Sequence, residues 1–213
     1  MKYIIMCGGH YSKWQSPKQM LKIQGEEIVA RTIRLLRGEG VENIAISTND
    51  KRFAVFGVPL LQHENDMRVD GNRVAGCWVH AFYPTAEPAC YLMGDVVFSQ
   101  AAIHTIVRTE TESVRFFAST PPFSQLYIKP WAEPFAFKVA DQKRFRAAID
   151  FVAANVDTGI FCRHPISWEL WQVINGGNTK QIDYQTVTGI NDFTCDIDEP
   201  GDIRRIEAVL CGL

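Results

Sequence analysis

Tyr3-Ile4-Ile5-Met6-Cys7-Gly8-Gly9-His10-Tyr11-Ser12-Lys13 passes from an apolar run into a stretch of turn residues, and Ser16-Pro17-Lys18-Gln19-Met20-Leu21 and Gly25 follow it. The first four residues have no polar alternation, which predicts a short strand covered on both faces. The glycine pair lets backbone N–H groups approach phosphate oxygens closely, and Lys13 and Lys18 can neutralise the remaining charge. A Gly-Gly turn followed by lysines is about as often structural as functional. The spacing matches neither G-x-x-x-x-G-K-[ST] nor G-x-G-x-x-G, which argues against a P-loop kinase and a dinucleotide-binding dehydrogenase.

From this loop onward, strands alternate with helices. Ile28, Val29, Ile33 and Leu36 line one face of a predicted helix that Gly38 and Gly40 stop. Asn43 to Ser47 predicts a second buried strand, Val58 to Leu61 a third, and residues from about Asn72 to Phe82 a helix. Cys90 to Met93 is an apolar strand ending at Gly94-Asp95, with a helix starting near Ser99. The alternation predicts an α/β fold with a largely parallel sheet and helices on both faces, whose ligands collect at the carboxyl ends of the strands. Phe116 to Ser119 and Leu126 to Val139 read as strands interrupted by Pro121, Pro122, Pro130 and Pro134, a use of proline that suits edge strands or a substrate flap. Asp141 to Asn155 predicts a helix with Phe145, Ala148, Ile149 and Val152 inward. Pro200 opens a last helix striped by Ile203, Ile206, Val209 and Leu210.

The chain has 213 residues, 46% of them hydrophobic, enough for one sizeable core, and residues 1–213 are expected to form a single domain. Its 22 Lys+Arg and 24 Asp+Glu supply no uniform field, which argues against nucleic acid and against an acidic membrane as partner. No apolar run reaches the ~20 residues that span a bilayer, and no signal peptide is evident. Cys7, Cys77, Cys90, Cys162, Cys195 and Cys211 form no C-x-x-C pair and read as buried reduced thiols, which predicts a cytoplasmic protein.

The opening segment resembles the signature of the sugar-phosphate nucleotidyltransferase superfamily: an apolar residue, a small residue, G-G-x-G-[ST]-R, a spacer, P-K-x-L and a later glycine. Its members include choline-phosphate cytidylyltransferases and molybdenum-cofactor guanylyltransferases. The resemblance implies a three-layer, Rossmann-like mixed sheet of the nucleotide-diphospho-sugar transferase type. It also implies transfer of a nucleotide from a nucleoside triphosphate to a small phosphorylated acceptor, with release of pyrophosphate. The triphosphate would be held by Gly8, Gly9, Ser12, Lys13 and Lys18, with Cys7 and His10 in the same loop. Tyr11 stands where a glycine is usual and Lys13 where an arginine is usual, which keeps the charge and loses the bidentate fork.

Two acidic segments extend the resemblance. Asp95, closing a buried strand in Gly94-Asp95-Val96, stands where the family places a magnesium ligand; on the residues alone it could equally cap the next turn. Cys195-Asp196-Ile197-Asp198-Glu199-Pro200-Gly201-Asp202 resembles the family's acidic-x-D-T-P-E-D-L segment, where a carboxylate returns to the same ion. In an extended piece Asp196 and Asp198 share a face, so both are candidate ligands, though Asp198 could also be the N-cap of the last helix. Gly71, Asn72 and Gly76 fall where relatives contact the nucleobase. The short chain resembles the choline-phosphate and related cytidylyltransferases more than the longer hexose enzymes, which makes CTP the first expectation, with phosphocholine, a sugar phosphate or a polyol phosphate as acceptor.

His10, His63, His80, His104 and His164 lack metal-ligand spacing. Tyr127, Trp131, Phe135, Trp168 and Trp171 read first as core and second as a substrate wall, or a cage for a quaternary amine. Lys129 could meet an acceptor phosphate, but a solvated lysine is the commoner case. A glycosyltransferase of related fold is a competing enzyme, disfavoured because Asp95-Val96-Val97 is not D-x-D. A non-catalytic nucleotide-binding domain is the competing class.

Overall fold

A computed structural model describes residues 1–8, 14, 16–62, 68–70, 73–75 and 77–212. Thirteen strands are present among them: β1 (Lys2–Met6), β2 (Lys22–Ile23), β3 (Glu26–Glu27), β4 (Ile44–Ser47), β5 (Leu60–Leu61), β6 (Arg68–Asp70), β7 (Arg73–Ala75), β8 (Ala89–Met93), β9 (Val96–Val97), β10 (Val114–Ala118), β11 (Pro134–Val139), β12 (Thr188–Gly189) and β13 (Cys195–Asp196). The helices are α1 (Ile28–Gly38), α2 (Gln100–Arg108), α3 (Gln142–Ala154), α4 (Ser167–Asn175) and α5 (Pro200–Cys211).

Seven strands form one sheet in the order β12-β10-β11-β8-β1-β4-β5. β1 lies parallel to both β4 and β8, with Ile5 opposite Ile46 and Leu92. β11 runs antiparallel to β8 and β10, so the sheet is mixed. All five residues of β8 and four of the five in β1 are buried, as strands covered on both faces must be. On one face Tyr91 and Phe137, register partners, pack with Phe145 of α3, while Phe116 meets Trp168 and Trp171 of α4. Each such fully buried ring contributes about 2–3 kcal/mol.

Local chemistry sets the boundaries. Ser99 caps α2 by accepting the Ala102 N–H at 2.8 Å, and Asp141 caps α3 by accepting that of Arg144 at 2.9 Å. Gln24 and Gly25 both have positive φ, the requirement of a tight turn, and they join β2 to β3 ahead of α1.

Three expectations are corrected. Instead of a helix from Asn72 to Phe82 there is the antiparallel pair β6 and β7, then a 3-10 turn over Trp78–Ala81. Val69 sits between Arg68 and Asp70, a period-2 alternation, and Val69 and Val74 are β-branched, which favours strand over helix. β10 and β11, the strands of the proline-rich stretch, are not edge strands, because each pairs on both sides and the sheet's edges are β12 and β5. Pro134 is tolerated as the first residue of β11, and residues 119–133 form turns instead of the longer strand expected from Leu126. Finally, α4 arises where no helix was expected. The described residues include no helix long and apolar enough to cross a membrane.

Candidate functional site

The carboxyl ends of β1 and β8 lie side by side, with Met6 opposite Met93 and the Gly94 N–H donating to the Met6 carbonyl at 3.1 Å. A side chain at Gly94 is forbidden: a Cβ would stand 2.3 Å from that carbonyl oxygen and 2.8 Å from Cys7 Sγ. This close approach sets Asp95 beside the start of the glycine loop. A cavity of about 300 Å³ opens there, lined by Gly8, Lys18, Gln19, Trp78, Asp95, Glu133, Ser167, Asp196 and Asp198 among others. A shallower groove of about 920 Å³ lies at the amino end of β1, lined by Tyr3, Glu112, Arg115 and Lys138 among others. The smaller cavity is the candidate, since it lies at the strand ends where α/β sheets bind ligands and gathers the acidic side chains.

The C-terminal segment reaches the cavity by pairing with the chain just after Asp95. β13 runs antiparallel to β9, Asp196 opposite Val96, and the Ile197 N–H donates to the Asp95 carbonyl at 3.0 Å. Asp196 and Asp198 thereby face the same way, as alternation requires. Asp198 is not the cap of α5. That position is Glu199, and Asp202 accepts the N–H groups of Asp198 at 2.9 Å and Glu199 at 3.2 Å.

Lys18 sits in a 3-10 turn, Lys18–Met20, entered through Pro17, and is buried. Its Nζ lies 2.8 Å from Asp95 Oδ2 and 3.6 Å from Asp198 Oδ1, and donates to the Ile197 carbonyl at 2.8 Å. Lys129 is the second cation, and it is not solvated: it is 5% exposed and ion-paired with Asp196, with Asp198 Oδ2 at 2.6 Å, and with Glu133 and Asp202 at 3.7 Å each. Its loop is closed by Ser119, which accepts the Glu133 N–H at 2.8 Å and donates to Tyr127 Oη at 2.8 Å.

Among the described residues, two lysines thus serve five carboxylates, those of Asp95, Glu133, Asp196, Asp198 and Asp202. Burial pushes Glu133 up to about 7, and burial with Glu133 and Asp198 nearby raises Asp196 well above the usual carboxylate range. Burial also acts to raise Asp198, but Lys129 and Lys18 outweigh it and hold that carboxyl low. Among the described residues, Glu133, Asp196 and Asp198 bring ligand atoms within 4.8 Å of one another, close enough to share an ion. Asp95 is outside that trio, with Lys18 against its carboxylate.

Of the residues expected from the sequence, Gly8, Lys18, Asp95, Asp196 and Asp198 meet at the cavity. Cys7 is buried beneath Gly94, its thiol pushed up chiefly by burial. Gly9, His10, Ser12, Lys13, Gly71, Asn72 and Gly76 lie outside the described residues. Sequence reasoning missed Glu133, Trp78 and Ser167 as cavity residues and assigned Lys129 to solvent. Trp168 and Trp171 belong to the core, Tyr127 and Phe135 are buried, and Trp131 is exposed with its indole donating to Glu133. Four cysteines are buried as expected, whereas Cys162 and Cys211 are exposed.

Several solved structures share this fold. One from Bacillus anthracis, assigned as a glucose-1-phosphate thymidylyltransferase and bound to a sucrose, superposes with a TM-score of 0.59 at 14% identity over 100% of this chain and 96% of that one. The inositol-1-phosphate CTP transferase of T. maritima gives 0.54 at 14% identity, over 100% and 97%. A CMP:2-keto-3-deoxy-manno-octonic acid synthetase complexed with CTP gives 0.56 at 12% identity, over 100% and 99%. Residues 3–148 match the model of the MobA-like NTP transferase domain. The chain therefore belongs to the MobA-like NTP transferase domain family and is a nucleotidyltransferase.

Proposed function

We propose that this protein transfers a nucleoside monophosphate from CTP to a small phosphorylated acceptor, with magnesium as cofactor, and that residues 1–213 act as one domain in the cytoplasm. The reading is carried by the convergence of Lys18, Asp95, Asp196 and Asp198 on one cavity at the carboxyl ends of β1 and β8. CTP is preferred because two of the similar structures are named for CTP or hold it. One continuous hydrophobic core supports the single domain, and four buried thiols suit a reducing compartment.

The donor set fits magnesium, a hard cation that prefers carboxylate oxygen, and the acids outnumber the lysines around them. Asp196, Asp198 and Glu133, with Asp95 adjacent, are the residues that would hold it. When bound, it supplies neutralisation of phosphate charge. A phosphate-monoester oxygen of the acceptor attacks the α-phosphorus; the new P–O bond forms as the bond to the bridging oxygen breaks, and pyrophosphate carries that electron pair away. The nucleophile is anionic at neutral pH, so no side-chain base is required. Lys18, and Lys13 in the loop, offset charge on the triphosphate, while the walls position the two reactants.

The test is a pyrophosphate-release screen crossing four nucleoside triphosphates with phosphocholine, sugar phosphates and polyol phosphates in magnesium. The parent should release pyrophosphate with one pair, and Asp95→Asn should not, with its circular dichroism unchanged. Near-normal turnover by Asp95→Asn would sink the role of Asp95. Nucleotide binding without release across the panel would select the non-catalytic reading.

A further inference from the structure

We propose that the amino end of α4, with the Ser167 hydroxyl, is the subsite that holds the phosphate of the acceptor; the inference rests on the nucleotidyl-transfer reading of the cavity and adds which residues meet the second substrate. α4 spans nine residues, Ser167–Asn175, preceded by an extended Ile166. Isoleucine has no side-chain oxygen to cap the helix. Leu170 is the first residue whose N–H returns within the helix, to the Ile166 carbonyl at 3.1 Å. The N–H groups of the first turn therefore have no intrahelical partner, and the aligned peptide dipoles place about half a positive charge there.

Ser167 is the independent observation. It is 0% exposed, among the described residues its Oγ has no hydrogen-bond partner, and it lines the same cavity as Lys18, Asp95 and Asp198. A buried hydroxyl without a partner costs about 1–3 kcal/mol, so the arrangement calls for a ligand that accepts from it. The backbone N–H groups are donors only, and the hydroxyl can turn its O–H the same way. Their common complement is an anion with several acceptor oxygens, and a phosphate monoester answers to that. Glu169 accepts the Ile166 N–H at 3.0 Å at this helix end, and Arg163 Nε, 2.7 Å from its other oxygen, balances its charge.

Electrostatics also favours the acceptor. A doubly charged phosphate entering a cavity with four carboxylates on its wall is repelled unless a fixed positive pole receives it. Lys18 stands with Asp95 and Asp198 beside the glycine loop, where the triphosphate is expected. The α4 end is a separate element of the cavity wall, supplied by residues 166 and 167, and it provides a second anion pole without another side-chain charge.

The experiment is calorimetric titration of the full chain with inorganic phosphate and, separately, with magnesium CTP, comparing the parent with Ser167→Ala and Ser167→Asp. Alanine suits a helix, and aspartate suits its first turn while filling the subsite with a fixed anion. Expected are an approximately tenfold weaker phosphate affinity for Ser167→Ala, no phosphate binding to Ser167→Asp, and CTP affinity within about twofold of the parent for Ser167→Ala. Equal phosphate affinity in parent and Ser167→Ala overturns the subsite. So does a parallel tenfold loss of CTP affinity, which would assign the hydroxyl to the triphosphate. A parent that binds phosphate through Ser167 but does not bind any nucleoside triphosphate refutes the transfer reading instead, so the two failures are distinguishable.

Discussion

Replacing Lys129 by methionine removes the cation that the acidic cluster is built around while keeping most of the side chain's length. In the parent, its Nζ is ion-paired with Asp196, 2.6 Å from Asp198, and 3.7 Å from both Glu133 and Asp202. Deleting one partner of a buried ion pair costs about 3–5 kcal/mol because the remaining charge is left unpaired, whereas the change in packed volume adds little. The lower half of that range is expected, since Glu133, already up to about 7, takes a proton as the local field turns more negative. Urea unfolding at pH 8 in EDTA should show a midpoint lowered by about 3 kcal/mol of stability at unchanged slope. Millimolar magnesium should then restore more stability to Lys129→Met than it adds to the parent; a cation at one hundred times its Kd contributes about 2.7 kcal/mol. A loss below about 1 kcal/mol in EDTA, or equal responses to magnesium, would refute the claim that Lys129 stabilises this acidic cluster.

Gly94→Ala should lower stability by about 3 kcal/mol, because its Cβ meets the Met6 carbonyl at 2.3 Å and backbone cannot step aside; a thermal midpoint within a degree or two of the parent contradicts that packing. Glu133 should make the metal-free protein less stable as pH rises. Its folded pKa, raised chiefly by burial, lies above the unfolded value, so its contribution is complete below the usual carboxylate range and fades as pH climbs to about 7, by about 3 kcal/mol in all. Glu133→Gln should flatten that slope in denaturant titrations run between pH 5 and 8, and an unchanged slope would assign it to another group.

The central strands were legible because burial on both faces leaves no polar alternation: Tyr3 to Met6 and Cys90 to Met93 carry the signal, and both lie mid-sheet. Caps at Ser99 and Asp141 were equally plain, as each puts a side-chain acceptor ahead of an apolar stripe. The helix expected near Asn72 failed because Arg73-Val74-Ala75 pairs with Arg68-Val69-Asp70, a partner that lies outside the window read as helical. β11 lies inside the strand expected from Leu126 to Val139, but its antiparallel direction is set by pairing with β8 and β10, which the local pattern does not carry. α4 has no cap residue ahead of it, while its two tryptophans, read first as core, do pack in the core against Phe116.

For the site, a residue was legible when a motif fixed its place along the chain and illegible when only tertiary pairing did. Asp95 follows a strand and Asp196 and Asp198 precede a proline-opened helix, so their positions could be argued before any contact was known. Lys129 and Glu133 sit in a turn-rich loop, and i,i+4 spacing has no geometric meaning outside a helix. What brings them to the acids is the hydrogen bonding of Ser119 to Glu133 and Tyr127, together with β13 lying on β9. The lysine count carries the consequence. A cluster assembled from four separate segments needs internal cations to stay folded when nothing is bound. Lys18 and Lys129 supply these, one toward Asp95 and one toward Asp196, and Asp198 is the carboxylate both of them share. Substitution there should therefore disturb both halves of the cavity at once, whereas substitution at Asp95 or Asp196 disturbs one.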